Sequence, residues 1–264
     1  MYLALRNQAV LRRSVVDTMR LFKAMGYGGI ELELVRGLTD VLALDYLDDF
    51  FIEKVNEVSQ ELSFPVTAVS CHQNYVTDDF TFETTKRLIR TAPKYHTDLV
   101  IVSTAISDYE KEKHPELYDV LDIRTKELCN VAEEAGVRFT IEIEPHQLLN
   151  NLKSFFRVAE KVKSPNFKLN FDIGHVFLSE GGNLFKAIDD AKEFIVYSHV
   201  ENMIMGEHAH KLPWDGDIDL LAVYRKMKET CYDGPVSLDL YLQDYETVAK
   251  DCLDYINREV FSKL

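Results

Sequence analysis

The chain has 264 residues, 46% of them hydrophobic, and its 30 Lys and Arg against 44 Asp and Glu give a formal net charge of −14 at pH 7. This composition suits one α/β domain over residues 1–264, and no stretch approaches the roughly 18 consecutive apolar residues of a membrane helix. The acidic balance disfavours nucleic acid and acidic membranes as partners, because like charges repel.

Short β-rich apolar runs alternate along the chain with stretches whose apolar residues recur at helical spacing. The predicted strands are Tyr2–Leu5, Gly29–Glu33, Val66–His72, Leu99–Thr104, Arg138–Glu144, Lys168–Asp172, Phe194–Glu201 and Val236–Tyr241. Eight strands alternating with helices predict an α/β fold, a single-domain (β/α)₈ TIM barrel. An open doubly wound sheet is the alternative, but it needs a glycine-rich turn after the first strand, where ALRNQAV has no glycine.

Polar residues recur at the C-terminal ends of the predicted strands, and in a barrel these ends meet on the face where active sites are built. They are Glu33, His72, Glu144, Asp172, His199 and Asp239. Crowded carboxylates repel one another unless they are protonated, paired or bound to a cation. One strand-end carboxylate is more often a helix cap, so the prediction of a divalent metal site rests on the joint pattern.

The four cysteines lie far apart and form no CxxC pair. This spacing predicts reduced thiols and a cytoplasmic protein. The N-terminal segment lacks the apolar run and cleavage site of a signal peptide, which agrees with that expectation. The sequence leaves open whether the chain forms a homo-oligomer.

Four segments resemble the xylose-isomerase-like TIM barrel superfamily, which includes sugar isomerases and epimerases and the apurinic (AP) endonucleases of family 2. These segments are IEIEPH (141–146), FDIGHVF (171–177), SHVENM (198–203) and HAHKLPWDGDID (208–219). The resemblance implies that Glu144, Asp172, His199 and Asp239 are shared metal ligands, although the family usually carries Glu where this chain has Asp239. Three carboxylates and one imidazole suit one divalent ion, such as Mn²⁺, Zn²⁺, Co²⁺ or Mg²⁺.

Further histidines match other positions of this superfamily. His72 matches a third-strand histidine that serves as a ligand or substrate contact, and His175 and His210 match additional ligands of the endonuclease branch. His208 stands where that branch usually has Asp. The resemblance leaves open whether these four histidines bind a second ion or the substrate. The fourth strand reads LVIVSTA where the endonucleases place a histidine, which argues against a complete three-metal cluster.

Three residues are predicted to contact the substrate. Arg6 follows the first strand and is a candidate for binding a carboxylate or phosphate, because guanidinium matches planar anions. Glu33 ends the second strand, and Trp214 is the only tryptophan and follows His210 in the same segment. No helix begins with a glycine-rich phosphate turn, which favours an uncharged sugar.

The leading hypothesis is a metal-dependent sugar isomerase or epimerase that works through an enediolate, with Glu144 and Asp239 as the acid/base pair. A sugar lyase or dehydratase would share the enediolate and is an alternative. A phosphodiester hydrolase of the AP endonuclease type would use the same ligands, but the acidic charge, the missing fourth-strand histidine and Asp239 weigh against it. A barrel that only binds a metabolite is disfavoured by the near-complete ligand set.

Overall fold

The computed structural model describes residues 1–7, 13–36, 41–107, 112–230, 232–241 and 243–264. The strands are β1 Tyr2–Arg6, β2 Gly29–Glu33, β3 Val66–Cys71, β4 Leu99–Val102, β5 Arg138–Glu142, β6 Phe167–Asp172, β7 Ile195–Val200, β8 Asn202–Ile204, β9 Glu207–Lys211 and β10 Pro235–Leu238. The α-helices are α1 Val15–Met25, α2 Asp49–Leu62, α3 Asp79–Thr91, α4 Leu117–Ala135, α5 Leu152–Val162, α6 Ile173–Ser179, α7 Leu184–Ala191, α8 Leu220–Thr230 and α9 Tyr245–Tyr255.

Eight parallel strands close into a barrel in the order β1-β10-β7-β6-β5-β4-β3-β2, with β2 pairing back to β1. The predicted (β/α)₈ TIM barrel is therefore confirmed. Parallel neighbours need crossover connections, and the helices supply them on the outside of the sheet. Strands covered on both faces are buried along their whole length, as in β3, where all six residues are buried.

Local sequence signals begin and end the outer helices. The hydroxyl of Ser14 accepts from the backbone N–H of Asp17 at 3.2 Å, and α1 ends at Gly26, whose φ of 107° is left-handed. A capping box between Asn151 and Ser154 begins α5. The buried positions of α5 recur every three or four residues, so this helix packs one apolar stripe against the barrel.

Two strand ends differ from the prediction in a way that matters for the site. β5 ends at Glu142, two residues early, because the backbone N–H of Glu144 donates to the carbonyl of Leu149 within the following loop at 2.9 Å. β10 ends at Leu238, and Asp239 follows it directly, with its backbone N–H bonded to the carbonyl of Val200 at 3.0 Å. Both carboxylates therefore stand at the rim of the barrel.

The antiparallel hairpin β8–β9 was not predicted, and it extends over the barrel mouth. Its turn contains Gly206, with a φ of 86°. The buried side chain of Asn202 anchors it by accepting from Ile218 N–H at 3.0 Å and donating to the carbonyl of Pro213 at 3.0 Å. The segment 208–219, which resembles the superfamily, therefore begins within β9, and this strand carries His208 and His210.

No helix in the described ranges has the length and apolar character to cross a membrane. Cys71, Cys129 and Cys252 are free thiols buried in the protein, and Cys231 lies outside the described residues.

Candidate metal centre and active site

Four buried side chains from four strand ends converge at the mouth of the barrel. They are Glu142, Asp172, His199 and Asp239, and each offers a ligand atom within 4.8 Å of the others. The structure thus brings together three of the four predicted ligands. The fourth member of this group is Glu142, whereas the predicted ligand Glu144 lies beyond the end of β5, in an adjoining group with Glu142 and His175.

Three atoms of this group are buried and find no hydrogen-bond partner among the described residues: Asp172 Oδ2, His199 Nδ1 and Asp239 Oδ1. Buried polar atoms normally find partners, so a converging set of orphaned ligand atoms indicates a place for a cation. Asp172 also caps α6, since its Oδ1 accepts from His175 N–H at 2.8 Å. One oxygen serves the helix, and the other remains free to bind an ion.

Glu31 orients His199, and sequence analysis missed it. Glu31 Oε2 lies 2.8 Å from His199 Nε2, which turns Nδ1 toward Glu142 Oε2 at 3.0 Å. A carboxylate on the far nitrogen of a metal-binding histidine fixes its tautomer and ring orientation. Glu31 precedes Glu33 by two residues on a strand, so the period of side chains on one face could have revealed it.

A second group of ligand-type side chains lies toward the hairpin. His175, His208 and His210 offer nitrogens within 4.8 Å of one another. Glu144 joins this side of the mouth, with its Oε1 3.5 Å from His175 Nε2 and 3.2 Å from His208 Nε2. Glu144 belongs to a further ligand-type group with Glu142 and His175, and so stands next to the four-residue group.

Of the predicted substrate contacts, some line the mouth of the barrel and one does not. Glu33 and His72 line the mouth, and their closest ring-to-carboxylate approach is 3.8 Å. Arg6 also lines the mouth, but its guanidinium bonds Asp239 and Glu33 rather than pointing at open space.

Trp214 is 43% exposed and lies outside the lining of the mouth. Its ring packs edge-on against Tyr255 with centroids 5.5 Å apart, because the segment after β9 turns toward the end of α9. This placement gives no support to the predicted contact between Trp214 and the substrate.

The mouth encloses a cavity of about 570 Å³. Its walls combine carboxylates and imidazoles with amide and hydroxyl groups from other loops, among them Gln73, Ser103, Gln147, Tyr241 and Gln243. Ser103 stands on the fourth-strand side, where the sequence lacks the histidine of the endonucleases. A cavity of this volume with convergent polar groups suits a small polar ligand.

The charged groups of the site shift one another's pKa values strongly. Burial by itself would raise the pKa of Glu31, but the charges of His199 and Arg6 lower it to about 2. Burial likewise opposes ionisation of Glu142, yet the charges of His199 and His72 hold its pKa well below the usual range. Burial lowers the pKa of His199, and Glu31 and Glu142 outweigh that effect and raise it well above its ordinary value. The carboxylates and imidazoles of the site therefore stabilise one another's charged forms.

Glu201 is a further buried carboxyl beneath this network. Burial, followed by the charge of Asp172, raises its pKa well above the usual range, and within the described ranges neither of its oxygens has a hydrogen-bond partner. It fits against Gly174, where a Cβ atom would overlap Glu201 Oε1 and lie 2.8 Å from Met203 Cε. The glycine of DIGH is thus required for close packing under the site.

The model of the xylose isomerase-like TIM barrel family matches residues 19–258 of the chain. Among curated proteins, L-ribulose-5-phosphate 3-epimerase UlaE of Salmonella paratyphi A is 20% identical over 243 residues, which cover 89% of this chain and 85% of the relative. The uncharacterized protein MJ1311 of Methanocaldococcus jannaschii is 24% identical over 147 residues, 52% of this chain and 50% of that protein. The chain thus matches about half the length of MJ1311.

Solved structures share the fold along the whole chain. The 3-keto-D-glucoside 4-epimerase YcjR of E. coli superposes with a TM-score of 0.79 at 18% identity, covering 98% of this chain and 99% of that one. The IOLI protein with a bound zinc atom gives a TM-score of 0.79 at 21% identity, covering 100% and 99%. At these identities the likeness concerns the fold.

Proposed function

The chain belongs to the xylose isomerase-like TIM barrel family, and on that premise we propose that it is a divalent-metal-dependent epimerase or isomerase of a small sugar. The observation that carries the proposal is the buried group of Glu142, Asp172, His199 and Asp239. Three of these residues present a ligand atom that has no hydrogen-bond partner in the described part of the chain. A relative that matches most of the chain is named as a sugar-phosphate epimerase, which supports the same class of reaction.

The donor set fits one divalent ion held by Glu142, Asp172, His199 and Asp239. Oxygen-rich ligation with one imidazole suits Mn²⁺, Co²⁺, Zn²⁺ or Mg²⁺. When bound, such an ion would polarise a substrate carbonyl and stabilise the enediolate that forms when the neighbouring carbon loses a proton. His175, His208 and His210 are the proposed ligands of a second ion or, without one, hydrogen-bonding groups for substrate hydroxyls; His72 is proposed to serve the substrate from the third strand.

Proton transfer is assigned to Glu144 and Asp239. With Glu142 serving as a ligand, the partly exposed Glu144 is free to move a proton at the wall of the cavity. Asp239 lines the same cavity from the end of another strand, and its Oδ1 has no hydrogen-bond partner among the residues that the structure describes. Epimerisation removes a proton from one face of a carbon and returns one on the opposite face, and two carboxylates at different positions around the cavity suit that chemistry.

The charges around the cavity favour an uncharged sugar over a sugar phosphate. Among the described residues of the lining, Arg6 is the only lysine or arginine, and carboxylates already engage its guanidinium. Glu33, Glu142, Glu144 and Asp239 line the same walls, so a phosphate dianion would meet like charge.

The test is solvent deuterium incorporation into a panel of ketoses and aldoses, followed by NMR, with protein loaded with Mn²⁺, Co²⁺ or Zn²⁺. We expect about one ion in the four-residue group, exchange at the carbon next to the carbonyl, and no exchange by the folded double variant Asp172→Ala/His199→Ala. A protein that stays metal-free in excess metal, or that binds metal but labels no sugar, would contradict the proposal. Loss of water from a labelled sugar in the same spectra would instead identify the lyase or dehydratase alternative.

Hydrolysis of abasic DNA is the competing activity. Ser103 at the fourth-strand position and the net charge of −14 both disfavour it. We expect no specific binding and no incision of abasic duplex at about 0.15 M salt, where a phosphate-contacting enzyme retains affinity. Incision well above background would contradict the proposed sugar chemistry and identify the protein as a DNA hydrolase instead.

A further inference from the structure

We propose that Arg6 is a positioning residue of the metal centre: its guanidinium holds Oδ2 of Asp239, which lies 3.6 Å from His199 Nδ1, and so fixes how this carboxylate faces the four-residue group. The inference rests on the proposed metal centre, and it assigns Arg6 a role inside the protein instead of the predicted contact with a substrate anion.

Arg6 ends β1, and β1 pairs with both β2 and β10, so its side chain reaches carboxylates on two neighbouring strands. Its Nη1 donates to Asp239 Oδ2, and its Nη2 donates to Glu33 Oε2 at 2.8 Å. Its Nε lies 3.5 Å from Glu31 Oε1. The guanidinium is buried, with a side-chain exposure of 5%, and it bridges the second and tenth strands.

The partner on the other side of Arg6 is itself held in place. Glu33 Oε2 accepts from the hydroxyl of Ser70 at 2.8 Å, and Glu33 Oε1 accepts from the backbone N–H of His72 at 3.1 Å. The guanidinium is therefore anchored to a fixed carboxylate. Because its N–H donors lie in one rigid plane, the same anchor also fixes the position of Asp239. A lysine ammonium carries the same charge, but it lacks the two-pronged geometry.

The consequence appears at Asp239, whose two oxygens have different surroundings. Oδ2 accepts from Arg6 and lies 3.6 Å from His199 Nδ1, whereas Oδ1 is buried and finds no hydrogen-bond partner among the described residues. The contact with Arg6 therefore fixes the direction of the oxygen that faces the four-residue group. Arg6 also supplies positive charge to Glu31 and Glu33, which with His72 form another ligand-type group. The guanidinium therefore stands where a cation would otherwise compensate these carboxylates.

Two other roles for Arg6 make different predictions. If Arg6 only balances charge, Arg6→Lys should bind metal as the wild type does. If Arg6 only binds substrate, no substitution there should alter metal affinity in the absence of substrate. Positioning predicts a loss of metal affinity in Arg6→Lys, and that loss must depend on Asp239.

The experiment is a Co²⁺ titration of the metal-free full-length protein, followed by visible absorption and by equilibrium dialysis. The variants are Arg6→Lys, Asp239→Asn and the double variant. The matched control is Arg13→Lys, because Arg13 makes an exposed forked ion pair with Glu246, at 3.1 and 2.8 Å. We expect Arg6→Lys to lower Co²⁺ affinity about 10–100-fold, as changes to the partners of metal ligands do. Arg13→Lys should leave it unchanged.

The double-mutant cycle gives the decisive comparison, because two residues that act through one contact are not additive. We expect Arg6→Lys to cause little further loss in the Asp239→Asn background. Unchanged affinity in Arg6→Lys, or a loss that adds fully to that of Asp239→Asn, overturns the proposal and leaves the metal centre intact. If the wild-type protein binds no Co²⁺, the proposed metal centre itself is wrong. Should Arg6→Lys fail to fold, Glu33→Gln removes the anchor, and unchanged Co²⁺ affinity there overturns the proposal as well.

Discussion

Replacing Glu142 and Glu144 one at a time separates the two glutamates of IEIEP. Glu142 is buried with its Oε2 3.0 Å from His199 Nδ1, whereas Glu144 Oε1 lies 3.2 Å from His208 Nε2 at the edge of the hairpin. We expect Glu142→Gln to lose metal-induced stabilisation and Glu144→Gln to retain it. Each substitution keeps the size of the side chain, so neither leaves a cavity.

The expected effect follows from the linkage between binding and folding. Metal at 100 times its Kd stabilises the native state by about 2.7 kcal/mol, and each kcal/mol raises the Tm of a domain near this size by about 2–4 °C. The wild-type Tm should therefore rise by about 5–11 °C. If Glu142→Gln weakens binding about 100-fold, the same metal concentration stabilises by about 0.4 kcal/mol, or about 1–2 °C.

The assay is calorimetry of metal-free protein with and without Mn²⁺ or Zn²⁺, with the Tm of each metal-free variant as its own reference. Glu144→Gln is the matched control, because it makes the same chemical change two residues away. A full Tm rise in Glu142→Gln together with a lost rise in Glu144→Gln would refute the assignment of Glu142. The ligand would then be Glu144, as the sequence alone suggested.

Three further predictions concern the surroundings of the centre. Glu31→Ala should lower metal affinity about 10–100-fold in a folded protein, because it removes the carboxylate that orients His199; unchanged dialysis binding would contradict this role. The pKa of His199 is raised above its unfolded value, so in metal-free protein its stabilising charge is present below about pH 6.5 and is lost as pH rises through the folded pKa. Metal must displace that proton, so metal affinity should rise with pH above about 6.5, and an affinity that falls over this range would be the opposite result. Gly174→Ala should destabilise the protein by about 1–3 kcal/mol in urea unfolding, because its Cβ would overlap Glu201 and crowd Met203; wild-type stability would show that these side chains move aside.

The barrel could be predicted because its signals are local. Each strand is a short apolar run, each helix an amphipathic stretch, and their eightfold alternation leaves few topologies. Asp172, His199 and Asp239 could be predicted for the same reason, since parallel strands bring their C-terminal ends to one face whatever the details of packing. The family membership then followed from motifs that contain these residues.

Other features depend on where each strand stops and on what faces it across the barrel. Glu142 and Glu144 are two residues apart, so the two-residue period of a strand predicts the same side for both side chains. The structure distinguishes them, because the backbone N–H of Glu144 bonds the carbonyl of Leu149 in the loop that follows β5. The sequence likewise carried no signal that the anchors of Asn202 would hold the hairpin over the mouth.

Arg6 shows most plainly what tertiary structure decided. From the sequence, a guanidinium after the first strand was a candidate for binding a substrate anion. Its actual partners, Glu33 and Asp239, lie 27 and 233 residues away along the chain. Closure of the barrel makes β1 the neighbour of both β2 and β10. Contacts between residues so far apart arise from the register of the closed sheet, which no local pattern of residue types records.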